Sequence, residues 1–219
     1  MNEEQLRQLW ETKWVESYPR EMLALGEFIS QQSPMNTILE IGVMHCGTMR
    51  FWEKFVPEKT GLVIGVDHTA RELILELSGD STEPITRPPT HDFLNHCPSN
   101  WIDATKCTLN PYDPDNRPCE VHLVIGDSNS QEVHDEIEEL LEGKRVDFMC
   151  HDGGHFGDVP LNDFHNIVLP FLRPGGWFAL ADRNCDGVDK LWDYINTLGG
   201  EKIEFIKPKQ AGISMWKKP

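Results

Sequence analysis

The sequence contains no apolar run approaching the roughly 18–20 residues that span a bilayer, which argues against a membrane-crossing helix. Its opening stretch, MNEEQLRQLW, is acidic and amphipathic. A secretory leader instead puts basic residues before an apolar core, so the cytoplasm is the expected compartment. Basic residues are scarce: Lys and Arg number 20 against 36 Asp and Glu, a formal net charge of −16. A polyphosphate surface would repel such a chain, so no nucleic acid partner is expected. The C-terminal Lys217–Lys218, with Lys207 and Lys209 nearby, reads as solvated charge and not as a binding patch. The six cysteines include no CxxC pair, which speaks against a secreted disulfide scaffold. Cys97, Cys107 and Cys119 share one irregular segment with His91 and His96, but at spacings unlike usual zinc sites. Reduced, structural cysteines are expected.

What is present fits a single globular domain spanning 1–219, with 39% hydrophobic and 26% charged residues. Residues 3–32 carry helical apolar spacing, interrupted at Tyr18-Pro19, and predict a helical cap of two helices over 1–35. Beyond it, short apolar runs alternate with helical patterns. Strands are expected at Thr37–Ile41, Gly61–Val66, Val121–Ile125, Arg145–Cys150, Trp177–Ala181, Lys202–Ile206 and Gly212–Trp216. Helices are expected around Thr48–Phe55, Ser130–Leu141, Leu161–Leu172 and Asp186–Leu198. Such alternation means a mainly parallel seven-stranded α/β sheet with helices on both faces. The last two strands leave no room for a helix between them and should form an antiparallel hairpin. Regularity fails across 79–120, rich in Pro, Asn and Asp, which reads as an insertion or lid. Trp10 and Trp14 suit either a core or an interface, so a homo-oligomer is left open.

Chemistry is concentrated at the strand ends. Glu40-Ile41-Gly42 runs into Gly47-Thr48 at the end of the first strand. Glycine there lets the backbone approach a ligand, and the following helix aims free N–H groups at the same place. The pattern is ExGxxxxG, which lacks the close glycine pair that cradles a pyrophosphate. Asp67 ends the second strand, where a carboxylate can accept from a ribose diol. Asp127 and Ser128 follow the third, within reach of an adenine edge. Together these describe a nucleoside pocket; the competing reading is that each carboxylate caps a helix.

LEIGVMHCGT, GVDHT, VIGDS, DFMCHDGGH and LRPGGWFALAD, in that order, resemble the class I S-adenosylmethionine-dependent methyltransferases. The closest likeness is to the group of cephalosporin hydroxylase-like proteins and macrolide-sugar O-methyltransferases. It covers about residues 36–72 and 121–216. The resemblance implies a Rossmann-like fold with S-adenosylmethionine as cofactor. Glu40, Gly42, Gly47 and Thr48 then belong to the first cofactor motif, Asp67 to the ribose, and Asp127 and Ser128 to the adenine. It also implies that Asp152 and Asp182 bind a divalent cation, with Mg²⁺ the candidate, and that His155 removes a proton from a hydroxylated small-molecule acceptor. Mg²⁺ prefers oxygen ligands, and a neutral imidazole is a suitable base near neutral pH.

Two departures stand out. The macrolide enzymes carry adjacent acids after the fifth strand, whereas Asp182 here lies between Ala181 and Arg183. Catechol-type enzymes carry an Asp-Asn pair, and Asn184 is one position too far along. Arg183 either supplies charge that a metal would have supplied or binds an acidic substrate; His151 and His165 read as structural. No iron-binding triad of two His and one carboxylate can be placed, so hydroxylation ranks low. A non-catalytic S-adenosylmethionine-binding scaffold and a metal-dependent hydrolase are the remaining alternatives.

Overall fold

The structure, a computed structural model, describes residues 19–32, 34–43, 47–68, 118–205 and 212–219. The first helix of the N-terminal cap, with Trp10 and Trp14, lies outside the described residues. So do the insertion up to residue 117 and all but Cys119 of the cysteine–histidine segment. The elements, in chain order, are α1 (Pro19–Ser30), β1 (Thr37–Ile41), α2 (Gly47–Trp52), β2 (Leu62–Asp67), β3 (Glu120–Ile125) and α3 (Gln131–Leu141). They continue with β4 (Val146–His151), a helix α4 in three parts (Val159–Asp163, Phe164–Val168 and Leu169–Phe171), β5 (Leu172–Leu180), α5 (Asp186–Thr197), β6 (Lys202–Phe205) and β7 (Ile213–Lys217). Among the described residues no helix is long and apolar enough to cross a membrane.

The seven strands form one sheet in the order β3-β2-β1-β4-β5-β7-β6. The pairs β2–β3, β1–β2, β1–β4 and β4–β5 are parallel; β7 runs antiparallel to both β5 and β6. β1, β2 and β4 are buried along their whole length, as continuous apolar runs in a sheet covered on both faces should be. One apolar layer gathers α3, α4 and α5 against the sheet, and the other gathers α1 and α2. In α3, Val133, Ile137 and Leu141 bury one stripe four residues apart, while the Ser130 hydroxyl accepts the Val133 N–H at the start.

Strand order reverses between β1 and β4, which lie side by side although β2 and β3 separate them in sequence. At such a switch point the connecting loops diverge to opposite faces and leave a crevice at the carboxyl ends of the strands. That crevice places the site.

Two local departures from expectation have clear causes. Arg173-Pro174-Gly175-Gly176, which the sequence leaves between a helix ending near Leu172 and a strand beginning at Trp177, is part of β5. Val146 pairs with Leu172, and the register then shifts before Phe148 pairs with Trp177, so β5 carries the extra residues as an irregularity. Arg173 Nε donates to Asp147 Oδ1 at 2.5 Å, fixing that segment to the start of β4. The second departure is in α4, where Val159–Asp163 and Leu169–Phe171 flank a π-helical turn at Phe164–Val168. Pro170 has no N–H and its ring would crowd a carbonyl one turn back, so widening the helix there relieves the conflict.

The wide turn seats Phe164, fully buried, against Phe178, Tyr194 and Trp216 with ring centroids 5.4–6.0 Å apart. Phe164→Ala should therefore cost about 3–5 kcal/mol in urea unfolding. A loss below about 1 kcal/mol would mean that this layer does not anchor α4.

Candidate active site

β1 and β4 end in loops that touch. Gly42 has a φ of +82°, and a Cβ there would lie 2.4 Å from Gly153 Cα and 2.5 Å from the Asp152 carbonyl oxygen. Only glycine fits. The Gly42 N–H donates to the Val66 carbonyl and the Asp152 N–H to the Ile41 carbonyl, each at 2.8 Å. Asp67 Oδ2 accepts the Val43 N–H at 3.0 Å, tying the glycine turn to the end of β2. Three strand ends are thus laced together by backbone and one carboxylate.

Above them opens a cleft of about 580 Å³, within the roughly 300–1,000 Å³ typical of small-ligand sites. Gly42, Asp67, Asp127, Ser128 and Asp152 line it, five of the residues that sequence reasoning assigned to the site. Glu40 and Thr48 do not. Glu40 is buried behind the turn, where its Oε2 accepts the Thr48 hydroxyl at 2.6 Å. Gly47 begins α2, and residues 44–46 lie outside the described residues. Burial is the chief reason that the Glu40 carboxyl is pushed up to about 8, opposed by the Thr48 hydrogen bond and reinforced by Asp152 and Asp67.

Asp152, His155 and Asp182 converge at one side of this cleft. His155 Nε2 lies 3.2 Å from Asp182 Oδ2 and 3.6 Å from Asp152 Oδ1, and one donor atom from each of the three residues falls within 4.8 Å of the others. Nε2 is buried and makes no well-directed hydrogen bond. Asp152 is the main influence raising the His155 pKa above its ordinary value; burial opposes it and Asp182 adds to it. Asp182 has a φ of +52°, a conformation uncommon for a residue with a side chain and often found at functional positions. The loop after β4 is braced by α5: the Gly187 N–H donates to the His155 carbonyl at 3.2 Å, and a Cβ on Gly187 would meet that oxygen at 2.7 Å.

Arg183 takes neither role that the sequence left open. Its Nε donates to the Ser214 hydroxyl at 2.8 Å and its Nη1 to Asp189 at 2.9 Å, with the guanidinium 5.2 Å from the Trp192 ring centre. It is buried and fastens β7 to α5. His151 is fully buried, in keeping with a structural reading.

Solved structures share this architecture. A caffeoyl-CoA O-methyltransferase-like protein of Staphylococcus aureus aligns over all of this chain and 93% of its own, with 14% identity and a TM-score of 0.54. The fold is that of the S-adenosylmethionine-dependent methyltransferases. CalS11, a TDP-rhamnose 3'-O-methyltransferase of calicheamicin biosynthesis, aligns over 90% of this chain and 76% of its own, with 15% identity and a TM-score of 0.50. MycE, a mycinamycin-pathway methyltransferase solved with Mg, S-adenosylhomocysteine and mycinamycin VI, gives 16% identity and a TM-score of 0.51. This chain covers 97% of itself but only 54% of MycE. An rRNA methylase-like protein of Clostridium thermocellum aligns comparably, with 13% identity and a TM-score of 0.55. Likeness at this identity shows the methyltransferase fold and does not choose among acceptors. No protein-family model matches the sequence, and neither does any curated protein.

Sequence reasoning missed Asp163, which lines the cleft from α4 and bonds to His151 and Ser128. It sits inside an amphipathic helix with nothing in its spacing to mark it. The Gly153 contact was equally hidden, because it depends on two loops meeting across the switch point.

Glu40 carries a testable sign. Its pKa is raised on folding, so the stability it contributes is full below the unfolded value of 4.5 and is lost as pH rises through about 8. Between pH 6 and pH 8 the wild type should lose about 2 kcal/mol more than Glu40→Gln in urea unfolding. A difference that does not change with pH would contradict the buried neutral acid.

Proposed function

We propose that this chain transfers a methyl group from S-adenosylmethionine to a hydroxyl of a small-molecule acceptor. Asp152 and Asp182 hold a divalent cation, Mg²⁺ being the candidate, and His155 accepts the acceptor's proton. The observation that carries this reading is the convergence of Asp152, His155 and Asp182 beside a nucleoside-sized cleft at the switch point, with Asp152 common to both. The MycE complex with Mg and S-adenosylhomocysteine supports it on the same fold.

The residues fit both groups. Gly42 and Gly153 line the cleft where the two loops meet, and Asp67 at the end of β2 faces the cleft where a ribose diol needs an acceptor. Glu40 and Thr48 support the turn from behind instead of touching the cofactor. Asp152 and Asp182 supply hard oxygen donors, and with His155 they offer donor atoms all within 4.8 Å of one another, near the roughly 4 Å between opposite ligands of an ion bound at about 2.0–2.1 Å. When bound, the cofactor supplies an electrophilic methyl group and the cation lowers the pKa of a hydroxyl beside it.

The chain's own residues do the rest. Methyl transfer is an in-line displacement, so rate comes from alignment and from placing charge where it develops. The interlocked Gly42 and Gly153 turns fix the cofactor's position relative to Asp152. The bracing of His155 by Gly187 holds the imidazole beside the two carboxylates. His155 Nε2 takes the hydroxyl proton as the oxygen–methyl bond forms and the sulfur–methyl bond breaks, leaving a neutral thioether. The net charge of −16 favours a small acceptor over RNA.

Three variants separate the parts. Asp152→Asn and Asp182→Asn should each weaken Mn²⁺ binding, read by electron paramagnetic resonance, at least ten-fold. His155→Ala should cut methyl transfer to hydroxylated sugars or phenols by about 10²–10⁴ while the cofactor still binds. A wild type that holds Mn²⁺ but no S-adenosylmethionine would favour a hydrolase; one that binds the cofactor without any transfer would favour a scaffold.

A further inference from the structure

The His155 imidazole is not set apart from the two carboxylates it faces. Its Nε2 lies 3.2 Å from Asp182 Oδ2 and 3.6 Å from Asp152 Oδ1. A charge-assisted N–H···O bond closes to about 2.7–2.9 Å, so the ring stands beside both acids without bonding tightly to either. Neighbouring ligands of one ion, bound at about 2.0–2.1 Å, lie roughly 2.8–3.4 Å apart for angles between octahedral and tetrahedral. The Asp182 separation falls in that range, and the Asp152 separation lies just beyond it. Nε2 is also buried and lacks a well-directed hydrogen bond, and a buried polar atom of this kind needs a partner.

Oxygen ligands after β5 are few. Asp182 lies between Ala181 and Arg183, and the Arg183 guanidinium is committed to Ser214 and Asp189. Asn184 is exposed, with its side-chain oxygen 3.9 Å from Cys185 Sγ. Among the described residues, Asp152, His155 and Asp182 form the one group of three His, Cys, Asp or Glu side chains with donor atoms this close. Each is carried on a fixed stretch of backbone. The Asp152 N–H donates to the Ile41 carbonyl, while the His155 and Asp182 carbonyls accept the Gly187 and Cys185 N–H groups. The positive φ of Asp182 is thus held from α5, as a conformation with a cost must be if it is to persist. A cation drawn to the two carboxylates finds its third protein ligand in an imidazole nitrogen.

We infer that His155 Nε2 is itself a ligand of the cation while no acceptor is bound. The site is then a centre of two oxygens and one nitrogen, and it takes a first-row transition ion in preference to Mg²⁺. Carboxylates suit Mg²⁺ and Mn²⁺ alike, whereas imidazole favours the later transition ions. The inference rests on the cation site of the methyltransferase reading and adds the third ligand and the class of ion. It also gives His155 two tasks in succession. The acceptor hydroxyl takes the coordination place that Nε2 gives up, and the lone pair so released takes the hydroxyl proton. One ligand replaces another, and the ion keeps its oxidation state.

The test has two readouts besides activity. Pulsed electron paramagnetic resonance of the Mn²⁺-loaded wild type should show the coupling of a directly bound ¹⁴N, absent in His155→Ala and in His155→Gln. Calorimetry should show that His155→Ala weakens Co²⁺ binding by about ten-fold or more and Mg²⁺ binding by much less. His155→Gln returns an oxygen donor, so it should recover Mg²⁺ binding better than Co²⁺ binding. A wild type without nitrogen coupling, or an equal loss of Co²⁺ and Mg²⁺ in His155→Ala, would overturn the inference. S-adenosylhomocysteine binding, measured on the same proteins, separates this from the methyltransferase reading. Nucleoside binding without nitrogen coupling overturns the third ligand alone; nitrogen coupling without nucleoside binding supports the ligand and contradicts methyl transfer.

Discussion

Everything at the strand ends follows from the approach of Gly42 to Gly153 across the switch point. A Cβ on Gly42 would sit 2.4 Å from Gly153 Cα, so the first loop can come this close to the second only with glycine at position 42. Their contact brings Asp152 to the mouth of β1, and the Val43–Asp67 bond adds the end of β2. Neighbouring parallel strands alone would not do this, because their loops diverge to opposite faces. A larger residue at Gly42 would part the nucleoside end of the cleft from its reacting end.

Charge is the second constraint. Asp67 and Asp152 lie close enough to the buried Glu40 to raise its pKa together with desolvation, and Cys150 beside them is pushed well above its ordinary value, first by burial. The fold handles this local excess of acid by different means. Glu40 keeps its proton behind the turn, Asp67 spends one oxygen on backbone, and Asp152 and Asp182 face His155. A cationic cofactor and a divalent ion would both relieve the same field. Arg183, the nearest guanidinium in sequence, is committed elsewhere, to Ser214 and Asp189.

Local features were legible in the chain, and tertiary ones were not. TILEI, GLVIGV and RVDFMC read as strands because buried parallel strands are continuous apolar runs, and a mainly parallel seven-stranded sheet followed from alternation with helices. Asp152, His155 and Asp182 stood out through the family resemblance, the first two lying three positions apart in one loop and the third ending the next strand. Asp163 gave no sign: its value lies in partners 12 and 35 residues away in sequence. Arg183 misled for the same reason, since the sequence showed its position beside Asp182 but not the direction its side chain takes. Arg173–Gly176 fell outside the expected strand at Trp177–Ala181, when the irregularity in β5 had absorbed it.

The most direct measurement is thermal unfolding of the chain with S-adenosylmethionine or S-adenosylhomocysteine, each with Mg²⁺ and with EDTA. At about 100 times its dissociation constant a ligand adds roughly 2.7 kcal/mol of stability, enough for a plain rise in Tm. The account predicts that rise with either nucleoside, and a further rise with Mg²⁺ that EDTA removes. Well-folded protein with an unchanged Tm in high concentrations of both nucleosides would contradict it.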